Sequence, residues 1–349
     1  MSQGRSESKG RSEDRNGGTG EGPPPQFDWG GLLARFGLVL ALLALIVVLS
    51  ALSDRFLSWN NIVNILRQIS INAIIAFGMT VVIIGRGIDL SVGSLVALTG
   101  VIGASIAVLG VPDRGLEPTF LQLAYPWLAM GAMLLIGTLL GLWNGAFVAY
   151  AGIAPFIVTL AGLTMFRGGA LAYTEGRPIS GMPEAIYQIG NGEILWLPTP
   201  IWIMLVFLGI SYFLLRHTSL GRSIYAIGGN EEAARLSGIP VRRVKLFTYA
   251  FCGFAAALAA IILTSRVNSG QPSAGVAFEL DAIAAVVVGG TSLFGGKGGV
   301  FGTLIGALII GVINNGMNLL DVPSFYQQIV KGGVILAALL IERLAAKRR

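Results

Sequence analysis

Apolar residues run along this chain in long blocks, separated by short clusters of Gly, Pro, Ser and charge. The blocks cover 36–57, 62–84, 91–110, 126–150, 156–174, 200–216, 246–265, 279–290, 299–320 and 325–342. A helix needs about 20 apolar residues to cross the bilayer core, whereas a buried strand reads as a run of roughly 4–8. The pattern predicts an all-α polytopic membrane protein of about ten transmembrane helices. The eighth block is short and reads as a broken or re-entrant helix, and glycines interrupt the third and fifth. Ala51-Leu52-Ser53 resembles a signal-peptide cleavage site, but the block before it exceeds the usual apolar stretch of about 7–15 residues. With further blocks following at once, it reads as the first span.

Residues 1–26 are nearly devoid of apolar side chains and are expected to be a disordered tail. Residues 36–342 form the predicted transmembrane domain, with a cytoplasmic loop at 217–245, and 343–349 form a short basic tail. Composition agrees: 54% of the 349 residues are hydrophobic and 12% charged, with a mean hydropathy of +0.74. Soluble domains carry about 25% charged residues. Cys252 and His217, single residues of their kinds, permit no intramolecular disulfide, cysteine metal cluster or histidine-rich site. No paired carboxylates or nucleophile–base arrangement points to catalysis.

The net charge of +6 reflects topology. Placing the N-terminus inside puts most basic residues on one side, from Arg5, Arg35 and Arg86 through Arg216, Arg222, Arg235, Arg242, Arg243, Lys245 and Lys297 to Arg343–Arg349. The opposite side keeps Arg55, Arg114, Arg177 and Arg266. Under the positive-inside rule both termini are expected in the cytoplasm, and no nucleic-acid partner is implied. An internal echo relates Gly141-Leu142-Trp143-Asn144-Gly145 to Gly311-Val312-Ile313-Asn314-Asn315-Gly316, and Arg167-Gly168-Gly169 to Lys331-Gly332-Gly333. Five blocks per half would make this an inverted repeat, although chance likeness among glycine-rich helices gives the same pattern.

Three polar stretches interrupt the apolar background. In Gly85-Arg86-Gly87-Ile88-Asp89-Leu90-Ser91-Val92-Gly93-Ser94, Asp89 and Ser91 stand just before a helical run, suited to capping its first turn. In the loop 217–245, Asn230 to Pro240 reads as a short helix: Asn230 as N-cap, Glu231 and Glu232 at the positive end of the dipole, Gly238 and Pro240 as terminators. Such a helix is either a solvated connector or a knob for a cytoplasmic partner. The glycine-rich Gly289–Gly299 lacks phosphate-loop spacing, since Thr291 stands where the first Gly belongs and Lys297 is followed by Gly298. Within the blocks Asn72, Asn144, Asn314 and Asn318 are costly to leave facing lipid. Amides with few acids suit a neutral polyol better than a cation, although for any single amide interhelical hydrogen bonding is the commoner role.

Taken together, Gly85–Ser94, Gly221-Arg222-Ser223-Ile224-Tyr225-Ala226-Ile227-Gly228-Gly229-Asn230 through Gly238, Gln271-Pro272, Glu279–Val287, Gly289–Leu293 and Asn314-Asn315-Gly316 resemble the ribose-type permeases of bacterial ABC sugar importers, within the branched-chain/ribose permease superfamily. The resemblance covers about 56–342. The N-terminal tail lies outside it, and Arg86 stands where the family pattern has glycine.

The resemblance implies a permease subunit in the bacterial cytoplasmic membrane that moves a monosaccharide, a ribose-like pentose first, by alternating access. It implies three protein partners: a cytoplasmic ATPase, which uses ATP and Mg, an extracytoplasmic sugar-binding protein, and a second permease copy, the same or different. The chain itself would carry no cofactor, metal or catalytic residue. Asn230, Glu231, Glu232, Arg235, Leu236 and Gly238 would form a coupling helix seated on the ATPase. Asn72, Asn144, Asn314 and Asn318 are candidates to line the pathway, and Asp89, Ser91, Glu279 and Asp281 for a structural or gating loop. Alternatives are another pentose, a hexose or a furanosyl signalling molecule as cargo, or an ion-coupled secondary transporter using Glu279, Asp281 and Asp89.

Overall fold

The computed structural model describes residues 29–111 and 119–347, so the expected tail at 1–26 lies outside the described residues. The chain divides at Gly37: residues 29–37 are helical, and 38–347 form the main body. Thirteen helices are described. They are α1 (Trp29–Leu52), α2 (Trp59–Ile84), α3 (Val92–Ala107), α4 (Phe120–Ala149), α5 (Pro155–Thr174), α6 (Glu184–Asn191), α7 (Thr199–His217), α8 (Ser219–Gly229), α9 (Glu231–Leu236), α10 (Val241–Arg266), α11 (Phe278–Val288), α12 (Val300–Leu319) and α13 (Ser324–Lys347).

Seven of these, α2, α3 with its 3₁₀ extension to Gly110, α4, α5, α7, α10 and α12, are long and apolar enough to cross a membrane. Every apolar block coincides with a helix. The eighth became α11, only 11 residues long, as its short block predicts. The glycines of the third and fifth blocks do not interrupt α3 or α5 as expected, because both helices bury small residues against neighbours. α1 ends at Leu52 rather than 57, in a turn at 53–58, and α13 runs through Lys347, so most of the supposed basic tail is helical.

Local signals explain the boundaries. Ser58 caps α2, its hydroxyl accepting from Asn61 N at 3.4 Å. Thr119 and Gln122 form a reciprocal capping box at α4. Pro155 opens α5, where a missing N–H costs nothing.

The centre of the bundle is α2 and α10. From Ile69 to Ile84 α2 is almost wholly buried, and the alanine-rich Ala255–Ala260 stretch of α10 packs beside it. α10 also receives α4 at glycine contacts. A Cβ on Gly141 would stand 2.3 Å from Tyr249 O, and one on Gly253 would stand 2.2 Å from Gly137 O. Backbones this close need small residues on both helices, the usual device where lipid tails compete equally for apolar surface.

The neighbours of α2 and α10 correspond. α10 packs against α3 and α4, while α2 packs against α11 and α12; α5 lies on α3, and α13 on α11. The echoing glycines follow the same plan: Gly141 of α4 meets α10, and Gly311 of α12 meets Ile69 of α2. Two short antiparallel pairs accompany the helices: β1 (Ile179–Ser180) with β4 (Ser269–Gly270), and β2 (Glu193–Ile194) with β3 (Leu197–Pro198).

Candidate functional site

The loop 217–245 folds into two helices, where the sequence pattern gave one. Thr218 caps α8, accepting from Gly221 N at 3.0 Å, and α8 packs inward through Ile224 and Ile227. Asn230 then caps α9 as expected, its Oδ1 accepting from Ala233 N at 3.0 Å. Gly238 ends α9 at φ +81°, a left-handed turn that favours glycine. α9 is fixed to the body by Ala234, which is buried, and by the Glu231–Lys245 ion pair at 2.8 Å. Its outer face carries Glu232 and Arg235, paired at 3.2 Å, and Leu236, which is 81% exposed. A cleft of about 960 Å3 lies beside it, walled by residues 148–155 and by Glu231, Arg235, Arg242, Arg243 and Lys245. The result is a firmly mounted knob with an exposed leucine and mixed charge, suited to seating in a complementary groove.

The loop after α2 turns back into the bundle. Gly296 N donates to Ile84 O at 2.9 Å, and Arg86 Nε donates to Phe294 O at 3.1 Å. Arg86 has φ +63°, which explains the glycine of the family pattern at this position. Asp89 and Ser91 do not cap α3 as expected. Ser91 makes no side-chain cap bond; its N–H and hydroxyl both donate to Asp89 Oδ1, at 2.9 and 2.6 Å. Asn144 of α4, which is wholly buried, donates to Ser91 Oγ at 2.8 Å.

α3 and α11 begin beside one another. A Cβ on Gly93 would meet Gly275 O at 2.1 Å and Glu279 Oε2 at 2.5 Å. Arg167 of α5 donates to the carbonyls of Pro272 and Ala274, at 2.7 and 2.6 Å, holding the segment that leads into α11. On the other side of α11, Asp281 pairs with Lys331 of α13 at 2.9 Å. Asn72 and Asn314 share a narrow cleft with Gln68 and Asp281. The amide oxygen of Asn314 is buried there without a hydrogen-bond partner. Asn318 stands apart, exposed, and accepts from Gln327 at 2.8 Å.

Among families of known proteins, the branched-chain amino acid transport system permease components match residues 61–339. The chain belongs to this permease family. The permease is 49% identical over 327 residues to the ribose import permease of Haemophilus influenzae, spanning 93% of this chain and 97% of that one. It is 50% identical over 308 residues to the ribose import permease of Escherichia coli K12, at 87% and 92% coverage. The xylose transport permease of the same strain is 38% identical, at 90% and 92% coverage. No solved structure gives a significant match.

Of the four asparagines singled out from the permease sequence, the fold brings Asn72 and Asn314 together and leaves Asn144 and Asn318 elsewhere. Glu279 and Asp281 both lie in the first turn of α11, facing Gly93 and Lys331 respectively. The sequence pattern missed the Asn61–Asn315 pair, joined by reciprocal amide bonds of 3.0 and 2.8 Å. It also missed α6, whose Gly190 N donates to Ser265 Oγ at 2.6 Å. Asn61 lies just before the block 62–84 and Asn315 inside 299–320, so hydropathy carried no signal for the first. The second had none beyond a short amphipathic stretch.

Proposed function

We propose that this permease is the transmembrane subunit of an ATP-driven importer in the bacterial cytoplasmic membrane, carrying ribose inward by alternating access. The observation that carries the reading is the identity of about half the residues to ribose import permeases along nearly their whole length. The lower identity to a xylose permease ranks xylose second. The chain crosses the membrane ten times, α11 being a half-length helix that starts inside the protein, and both termini are cytoplasmic. α1–α5 and α7, α10–α13 form two inverted halves; the exchanged partners of α2 and α10 support this arrangement.

α9 is the coupling helix, with Asn230, Glu231, Glu232, Arg235, Leu236 and Gly238 transmitting closure of an ATPase to α8 and α10. The permease pairs with a second copy of itself and receives sugar from an extracytoplasmic binding protein. Asn72 and Asn314 offer weak polar contacts to passing sugar hydroxyls, since a tight site would trap the cargo. Asn144 and Asn318 remain in that assignment only where helix movement opens them. ATP and Mg belong to the partner ATPase.

The test is competition in proteoliposomes holding the permease, its ATPase and its binding protein. Labelled ribose should enter and be displaced by cold ribose far better than by xylose. Equal displacement by both would overturn the choice of ribose.

A further inference from the structure

Asp89 is fully buried in the loop that re-enters the bundle before α3, and the transport cycle outlined above gives it no task. One of its carboxyl oxygens is well used: Oδ1 accepts from Ser91 N and from Ser91 Oγ. The other, Oδ2, is buried without a partner, and so is Oδ1 of Asn144, whose amide nitrogen donates to Ser91 Oγ in the same cluster. Two bare acceptors in one buried cluster of three residues lack a donor.

Among the described residues, the surroundings supply no cation. Arg86, in the same loop, turns its guanidinium to Phe294 O. On α5, Arg167 donates to the carbonyls of Pro272 and Ala274. α10 presents Tyr249, whose hydroxyl donates to Ile88 O, and the buried thiol of Cys252; both are uncharged at neutral pH. α3 and α4 contribute no ionisable side chain here, and α11 brings another acid, Glu279, to the first turn of α3. The positive end of α3 amounts to about half a unit charge, less than a buried carboxylate needs. Burial accordingly pushes the Asp89 carboxyl above the usual carboxylate range, against the pull of its bonds to Ser91 and of the nearby Asn144 amide.

We propose that Asp89 is held as a neutral carboxylic acid, a positioning residue whose O–H on Oδ2 serves the bare amide oxygen of Asn144 and ties the start of α3 to α4. One hydrogen then satisfies both bare acceptors. Asp89→Asn reproduces the arrangement, because its amide oxygen accepts from Ser91 and its amide nitrogen donates in place of the O–H. The sign of the pH effect follows: the folded protein holds this proton more tightly than the unfolded chain, so stability is lost as pH rises through the folded-state value.

The deciding experiment is infrared spectroscopy of the purified permease in lipid nanodiscs, wild type against D89N. A carboxylic-acid C=O stretch present at pH 7, absent from D89N and lost from wild type at alkaline pH, is expected. Ribose uptake should stay within about twofold of wild type in D89N, fall tenfold or more in D89L, and decline at alkaline pH in wild type more than in D89N. No acid band at pH 7, or D89N as impaired as D89L, would overturn the proposal. The uptake arm rests on the transport reading; the infrared arm does not, so it decides the protonation whether or not ribose moves.

Discussion

Lys331 on α13 places its Nζ 2.9 Å from Oδ2 of Asp281 on α11, with the lysine side chain 24% and the aspartate 7% exposed. This pair fastens the half-length helix α11 to its neighbour on one side, while Arg167 holds the approach to it on the other. Removing one partner of such a pair strands a charge in a poor solvent, whereas replacing both need not. Lys331→Met should destabilise the permease by about 3 kcal/mol, the lower part of the range for buried pairs, because Lys331 keeps some exposure. Lys331→Met with Asp281→Asn should recover most of that loss. Thermal unfolding of the single and double variants in detergent checks the order.

Close packing of α4 on α10 gives a second expectation. Gly141→Ala forces a methyl against Tyr249 O and should cost about 1–3 kcal/mol. Gly131 lies on the same helix, and a methyl added there would have no heavy atom within 4 Å. Gly131→Ala should therefore be neutral or stabilising by up to about 1 kcal/mol. Equal effects at the two glycines, measured as unfolding midpoints, would contradict the packing described.

At Arg86 the backbone lies in the left-handed region, at a cost of roughly 1–2 kcal/mol for a residue with a Cβ. The guanidinium recovers part of this through its bond to Phe294 O, worth about 0.5–1.5 kcal/mol. Arg86→Gly should therefore be at least as stable as wild type, while Arg86→Ala, which keeps the strain and loses the bond, should be less stable. Denaturation midpoints of the three proteins give the ranking directly.

The coupling role proposed for α9 is tested by charge. Glu231 is held by Lys245 and Arg235 by Glu232, so reversing Glu231 and Arg235 together disturbs both the mounting of α9 and its outer face. Loss of ATPase binding and of uptake is expected from Glu231→Lys with Arg235→Glu, with the permease still folded. Asn230→Ala should remove about 1 kcal/mol of local capping and weaken coupling partially. Intact assembly and uptake in the double reversal would remove α9 from its assigned role.

What the sequence showed and what it hid divide by range. α9 was legible because Asn230, the two glutamates, Gly238 and Pro240 act within one short stretch. Helix positions in the membrane were legible for a similar reason, as hydropathy accumulates over about 20 residues. α8 was not, because Ser219–Gly229 is too short and too rich in glycine for either signal. Asp89 read as a helix cap because only its neighbours in the chain were visible. The partner that gives its cluster meaning is Asn144, 53 residues beyond Ser91. The β1–β4 pairing, which brings Ser180 and Ser269 together across 89 residues, is hidden for the same cause.

In the proposed cycle, ATP hydrolysis by a docked partner, transmitted through α9, drives sugar across this permease. The most direct measurement is labelled-ribose uptake into proteoliposomes containing the permease, ATPase and binding protein, with ATP, without ATP, and with an imposed proton or sodium gradient alone. Uptake is expected only with ATP. Uptake driven by the ion gradient in the absence of the ATPase would contradict the proposed cycle.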